Sequence, residues 1–155
     1  MKQDELKEVL NILNAHANFD GSKMDVNLRV ANVANGGVEI DLCTEAGHRV
    51  VLNDGGYAVS TSGSSTLFSQ PPSMGSLPIP APNGDWTLLL KYINASEDHS
   101  WLVVAWMTYC LTHPKAKSVV FPLLIIKGGH GSGKSFLCKF IIRSLVDNNS
   151  NGVQL

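Results

Sequence analysis

The sequence predicts an α/β chain: an incomplete P-loop core of strand, loop and helix, preceded by a small α+β region with antiparallel hairpins. Three observations predict it. An apolar, β-rich run over 119–127 leads directly into Gly128-Gly129-His130-Gly131-Ser132-Gly133-Lys134-Ser135. After that block, Phe136, Leu137, Phe140, Ile141 and Leu145 recur at helical spacing, so one side of a helix would pack on a sheet. Upstream, two stretches alternate apolar and polar residues with period two, each broken by a glycine-rich turn.

The block 128–135 matches G-x-x-x-x-G-K-[ST]. Its glycines let successive backbone N–H groups point into one concavity, with no Cβ between those donors and a phosphate. Lys134 would set its ammonium on the β- and γ-phosphates, and Ser135 would offer a hydroxyl to Mg²⁺. The following helix turns its unpaired N–H groups and positive dipole end toward the same anion. Gly128, Gly129, His130, Gly131, Ser132, Gly133, Lys134 and Ser135 are therefore the candidate residues for ATP, with Ser135 as the Mg²⁺ ligand. His130 fills a free position of the pattern and reads as a solvated loop residue.

Composition narrows the classes. The chain has 155 residues, enough for one ordinary domain or two small ones. Its net charge of −1 gives no electrostatic case for a dedicated nucleic-acid surface. Cys43, Cys110 and Cys138 are odd in number and far apart, and the five histidines form no ligand pair at helical spacing. That points to a reducing cytoplasm and no metal site of Cys/His type. The opening residues are polar, so no signal peptide is expected. The longest apolar runs, 101–107 and 119–126, are too short to span a bilayer.

Taken in order, residues 4–17 read as an amphipathic helix with Leu6, Val9, Leu10, Leu13 and Ala17 on one face. Phe19-Asp20-Gly21-Ser22 ends it. Val26, Leu28 and Val30 then alternate as a half-buried strand. Asn35-Gly36-Gly37 turns the chain, and Val38, Ile40 and Leu42 return. A second hairpin pairs 49–52 with 57–59 across Asn53-Asp54-Gly55-Gly56. The run Val38-Glu39-Ile40-Asp41 superficially matches an apolar strand closed by an acid, the Walker B pattern. Its alternation instead describes a hairpin with one wet face. From 69 to 84 the chain turns Ser- and Pro-rich, and it is read as a linker between an N-terminal region, 1–68, and a second region, 85–155. There, 85–93 suggests a short helical turn. Ser96 caps a helix running to about Leu111, with Pro114 beyond it. Trp101, Trp106 and Tyr109 make that helix apolar over most of its circumference, which favours core packing over a base-stacking platform. Lys115-Ala116-Lys117 reads as a solvated basic loop. Asp147-Asn148-Asn149-Ser150-Asn151-Gly152 is a turn, and Val153-Gln154-Leu155 reads as the start of another strand.

A P-loop ATPase also needs a later apolar strand ending in an acid, to hold Mg²⁺ and orient water, and commonly an arginine finger. No such strand follows Val146. The expectation is therefore an N-terminal part of a larger ATPase, one that binds nucleotide without hydrolysing it. Phe19-Asp20-Gly21, 26–31, 38–42, Leu77-Pro78-Ile79-Pro80, 101–106 and 128–135, in that order, resemble ATP-binding proteins of phages and integrated mobile elements. Those proteins are similar to the primase-associated, superfamily III or AAA+-like DNA helicases. The resemblance implies ATP and Mg²⁺ as cofactors and a role in DNA replication. For the full-length protein it implies DNA as a partner, a homo-oligomer of hexameric type and no membrane. Only the 128–135 block is a specific motif within it. Two other readings stay open: a non-catalytic assembly module clamped by nucleotide, and a nucleotide or small-molecule kinase. The kinase reading places its loop nearer the N-terminus than this chain does.

Overall fold

The computed structural model describes residues 3–33, 36–61, 64–115 and 120–149. The fold is mixed α/β, with a four-stranded antiparallel sheet and a separate two-stranded parallel pair. Helix α1 spans Gln3–Phe19, and none of its residues is buried. Asp4 and Glu5 stand in its first turn and His16 in its last, as the helix dipole favours.

The expected first strand is broken. β1 (Val26–Asn27) pairs in parallel with β6 (Leu67–Phe68), and β2 (Val30–Asn32) starts a new ladder. Arg29 lies between them with φ 65°, in the left-handed region. Its side chain turns inward instead of alternating outward, donating to the Asp41 carbonyl at 3.3 Å and the Gly75 carbonyl at 3.0 Å.

β2, β3 (Val38–Asp41), β4 (Arg49–Asn53) and β5 (Gly56–Ser60) form one meander in chain order. The two expected hairpins are thus joined, because β3 pairs with β4 as well as with β2. The β2–β3 turn uses Gly36 at φ 76°, while Asn35 lies outside the described residues. In the β4–β5 turn, Asn53 Oδ1 accepts from the Gly55 N–H at 2.9 Å, and Asn53 pairs with Gly56.

One face of the sheet is apolar. Ile40, Leu42 and Val50 pack there with Leu77, and Leu111 of the next helix joins the edge of the cluster. The opposite face was expected to be wet, and it is not. Glu39 and Asp41 are each 1% exposed. Residues 64–70 cross back over this face and satisfy both carboxylates. The Ser64 hydroxyl donates to Glu39 at 2.6 Å, and the Gln70 amide donates to Asp41 at 2.6 Å. Arg49 donates to Glu39 at 3.2 Å, and its guanidinium lies 5.2 Å from the centre of the Phe68 ring. The stretch read as a linker continues to the other face, where the Leu77 N–H donates to the Leu42 carbonyl at 2.9 Å.

A 3₁₀ segment, Trp86–Tyr92, is capped by Asp85, whose carboxylate accepts from the Thr87 N–H at 2.9 Å. Helix α2 spans Glu97–Thr112, with acids in its first turn. Its inner side supplies Val103 and Met107 to a second core with Ile93, Leu137 and Val146. Trp106 packs at the rim of this core and donates from Nε1 to the Pro122 carbonyl at 2.7 Å. Tyr109 stacks on His113 at 3.8 Å and meets the edge of Phe121 at 5.5 Å. Trp101 departs from the core-packing expectation: it is 45% exposed and lies against Trp86 at 5.0 Å.

Residues 120–127 run extended along this core. Leu124 and Ile126 turn toward it, while Val120, Leu123 and Ile125 face outward. The expected strand has no ladder partner among the described residues. Val119, Ala116 and Lys117, and the expected strand Val153-Gln154-Leu155, lie outside the described residues. Helix α3 begins as Lys134–Phe136, widens to π geometry over Leu137–Ile142 and closes as Arg143–Leu145. Among the described residues, no helix is long and apolar enough to cross a membrane.

Candidate functional site

The glycine-rich loop sits between the extended run and α3. Its shape follows from its glycines. Gly131 has φ 75° and Gly133 has φ 83°, values that L side chains rarely adopt. Gly133 is the residue from which α3 starts, and its carbonyl accepts the Leu137 N–H at 2.9 Å. Gly128 is constrained by proximity, since a Cβ there would come within 2.6 Å of the Ser132 hydroxyl.

Lys134 is the first residue of α3, and its side chain folds back over the loop. Its ammonium donates to the carbonyls of Gly128 at 2.7 Å and Gly129 at 2.6 Å, and to the Ser132 hydroxyl at 3.1 Å. The loop therefore closes around its own cation. Gly129, His130, Gly131 and Ser135 are exposed, and Ser132 and Lys134 are half-buried. Because α3 starts at Lys134, the N–H groups of Lys134, Ser135 and Phe136 have no acceptor inside the helix. Main-chain donors, an ammonium and the Ser135 hydroxyl thus gather at one helix start. That donor set suits an anion bearing several oxygens.

Next to the loop lies a pocket of about 360 Å³. Asn94, His99, Leu102 and Val103 line one side, and Ile126, Lys127, Lys134 and Leu137 line the other. Neither Asn94 nor His99 carried a signal in the sequence pattern. The Asn94 amide donates to the Ser132 carbonyl at 3.3 Å, which ties the pocket wall to the loop. Cys138, on the first turns of α3, is half-buried. The thiol of Cys110 in α2 is pushed up by burial, which makes it a poor nucleophile at neutral pH.

The far end of α3 is anchored as well. Asn148 accepts the Gly75 N–H at 2.5 Å through its carbonyl and donates its amide to the Ser76 carbonyl at 2.9 Å. Arg143 bonds the Asn149 carbonyl. Asp147 lies 3.9 Å from the Arg29 guanidinium. The contacts to Gly75, Ser76 and Arg29 carried no signal in the sequence, because they join residues that lie far apart along the chain. No family model, curated protein or solved structure matches the chain.

Proposed function

We propose that this chain is the ATP-binding segment of a P-loop ATPase, with Mg²⁺ as the accompanying ion. The observation that carries the reading is Lys134. Its ammonium is held over the glycine loop by carbonyl and hydroxyl oxygens, the same kind of acceptor that a phosphate would offer it. The free N–H groups at the start of α3 would take further phosphate oxygens, and Ser135 would supply a hydroxyl to Mg²⁺. The pocket beside the loop would take the purine and ribose, with Asn94 and His99 as polar contacts and Leu102 as an apolar wall. By resemblance, the parent protein is a DNA helicase or replication ATPase of a phage or mobile element, assembled as a hexamer that engages DNA. This chain alone binds nucleotide without turnover.

A second reading is favoured by the anchored end of α3. The helix connects the loop to Gly75, Ser76 and, through Asp147, to Arg29. Nucleotide at one end would then clamp the β region at the other without any hydrolysis.

Calorimetry with ATP·Mg²⁺ and with inorganic triphosphate tests the site. Wild type should bind both, and Lys134→Ala should lose about 3 kcal/mol, roughly 100-fold, for both. The same wild-type protein should release no phosphate above background. Equal affinity in wild type and a folded Lys134→Ala variant would sink the proposal, and Lys134-dependent turnover would overturn the claim that the chain only binds.

A further inference from the structure

The glycine loop is closed on its own lysine. An ammonium has three protons to give. Lys134 gives all three within the chain, to the Gly128 carbonyl at 2.7 Å, the Gly129 carbonyl at 2.6 Å and the Ser132 hydroxyl at 3.1 Å. None is left for a phosphate. The two carbonyls also fix the direction of their peptide planes. No described peptide bond is cis, so each N–H points opposite to its carbonyl. The N–H groups of Gly129 and His130 therefore face away from the ammonium. A phosphate that meets both Lys134 and those donors needs the two peptides to turn over.

Gly129 suits that turn. A Cβ there would meet nothing within 4 Å, and its φ lies outside the left-handed region. Neither crowding nor backbone conformation in the closed loop calls for glycine at this position. Rotation of the peptide between Gly128 and Gly129 does, because it runs between two residues without a Cβ.

Ser132 holds the closed form together. Its hydroxyl makes the longest of the three bonds to Lys134. Its N–H donates to the Gly129 carbonyl at 3.4 Å, and its own carbonyl accepts the Asn94 amide at 3.3 Å. Asn94 belongs to the wall of the neighbouring pocket. A ligand group that takes the Asn94 amide therefore frees the Ser132 carbonyl.

We propose that Asn94 and Ser132 latch the loop shut over Lys134, and that a nucleoside triphosphate opens it from both ends. The nucleoside takes Asn94 in the pocket, and the phosphates take Lys134. This rests on the nucleotide reading given above. The two parts of the ligand favour each other, since each removes a bond that the other must break. Inorganic triphosphate, which has no nucleoside, meets the latch intact.

Acylation of the full chain with limiting acetic anhydride, read by peptide mass spectrometry, tests the latch without any ligand. Lys127 and Lys139 are exposed and serve as references. In wild type, Lys134 should react about tenfold more slowly than they do, and Ser132→Ala or Asn94→Ala should bring it toward their rate. Calorimetry then tests the opening. Ser132→Ala keeps the main-chain N–H groups of the loop and should bind inorganic triphosphate about tenfold more tightly than wild type. Asn94→Ala should also bind triphosphate more tightly, while the advantage of ATP over triphosphate shrinks. Circular dichroism confirms that each variant is folded. A wild-type Lys134 that reacts as fast as Lys127 overturns the proposal. So does a Ser132→Ala variant whose triphosphate affinity equals that of a wild type that binds it. A wild type that binds neither ligand sinks the nucleotide reading instead, and the acylation rates of wild type and Ser132→Ala then decide the latch by themselves.

Discussion

Glu39 shows how a buried carboxylate is kept charged. Burial alone would push its carboxyl up. Hydrogen bonds from Ser64, Thr66 and Arg49, together with the Arg49 charge, outweigh that and hold it below the ordinary carboxylate range. A carboxyl lowered in the fold stabilises it above the pH at which the unfolded group titrates. That contribution drains away as pH falls through the lower folded value. Glu39→Gln should therefore cost about 2 kcal/mol at neutral pH, where a charge-assisted pair is lost. It should also flatten the decline in stability toward about pH 3. Denaturant midpoints of both proteins at the two pH values check this, and a variant that tracks wild type at both would leave the carboxylate without a stabilising role. Arg29 is the matching cation at the rim. Burial lowers its pKa while Asp147, Cys43 and Asp41 raise it, the balance falling below the usual value. Its Nε is buried without a partner among the described residues, and its left-handed backbone costs about 1 kcal/mol. The Gly75 and Asp41 carbonyl bonds are what hold it there.

At the scale of elements, what could be read from sequence was what is encoded locally. The β2–β3 and β4–β5 hairpins follow from period-two alternation and glycine turns, both contained within about twenty residues. α1 and α2 follow from apolar spacing and terminal acids, and Ser96 takes the N-cap position of α2 without a side-chain bond to the helix. The loop glycines were legible because each of their jobs is set by its immediate neighbours. The break at Arg29 was not legible, because it depends on carbonyls at 41 and 75. The dry face carrying Glu39 and Asp41 was not legible either, because the segment covering it is polar and reads as linker. The π geometry of α3 adds a residue to a turn without disturbing the apolar pattern that predicts a helix. The extended run 120–127 is held by side chains of α2 instead of by a ladder. Trp106→Phe tests that hold: it keeps a ring at the core rim and removes the bond to the Pro122 carbonyl. The expected cost is about 1 kcal/mol, with faster amide exchange through 123–127 than through α2. Uniform exchange in both segments would show that the indole N–H does not anchor the run.

The molecule as a whole hangs on the strip from Met74 to Leu77. Leu77 sits in the core of the sheet, Gly75 and Ser76 hold Asn148 beyond α3, and Met74 bridges Asn149. The end of the loop-bearing helix and the apolar face of the β sheet therefore meet on four consecutive residues. Gly75 is the tightest point: a Cβ there would meet the Asn148 side chain and its carbonyl oxygen, each at 2.9 Å. The side chain could swing away, but the carbonyl is fixed by its bond to the Gly75 N–H. Gly75→Ala should cost about 1–3 kcal/mol through overpacking and should loosen the two sides from each other. The tryptophans make this separable, since all three lie at 86, 101 and 106, on the α2 side. In wild type, tryptophan fluorescence and amide exchange in β3 and β4 should report one shared denaturant midpoint, as a cooperative unit requires. In Gly75→Ala the fluorescence midpoint should fall below that of the strands, because α3 loses its anchor while the meander keeps its own ladder. Midpoints that remain coincident and unmoved in the variant would mean that the two sides are coupled elsewhere, through Leu111 of α2 against the sheet core.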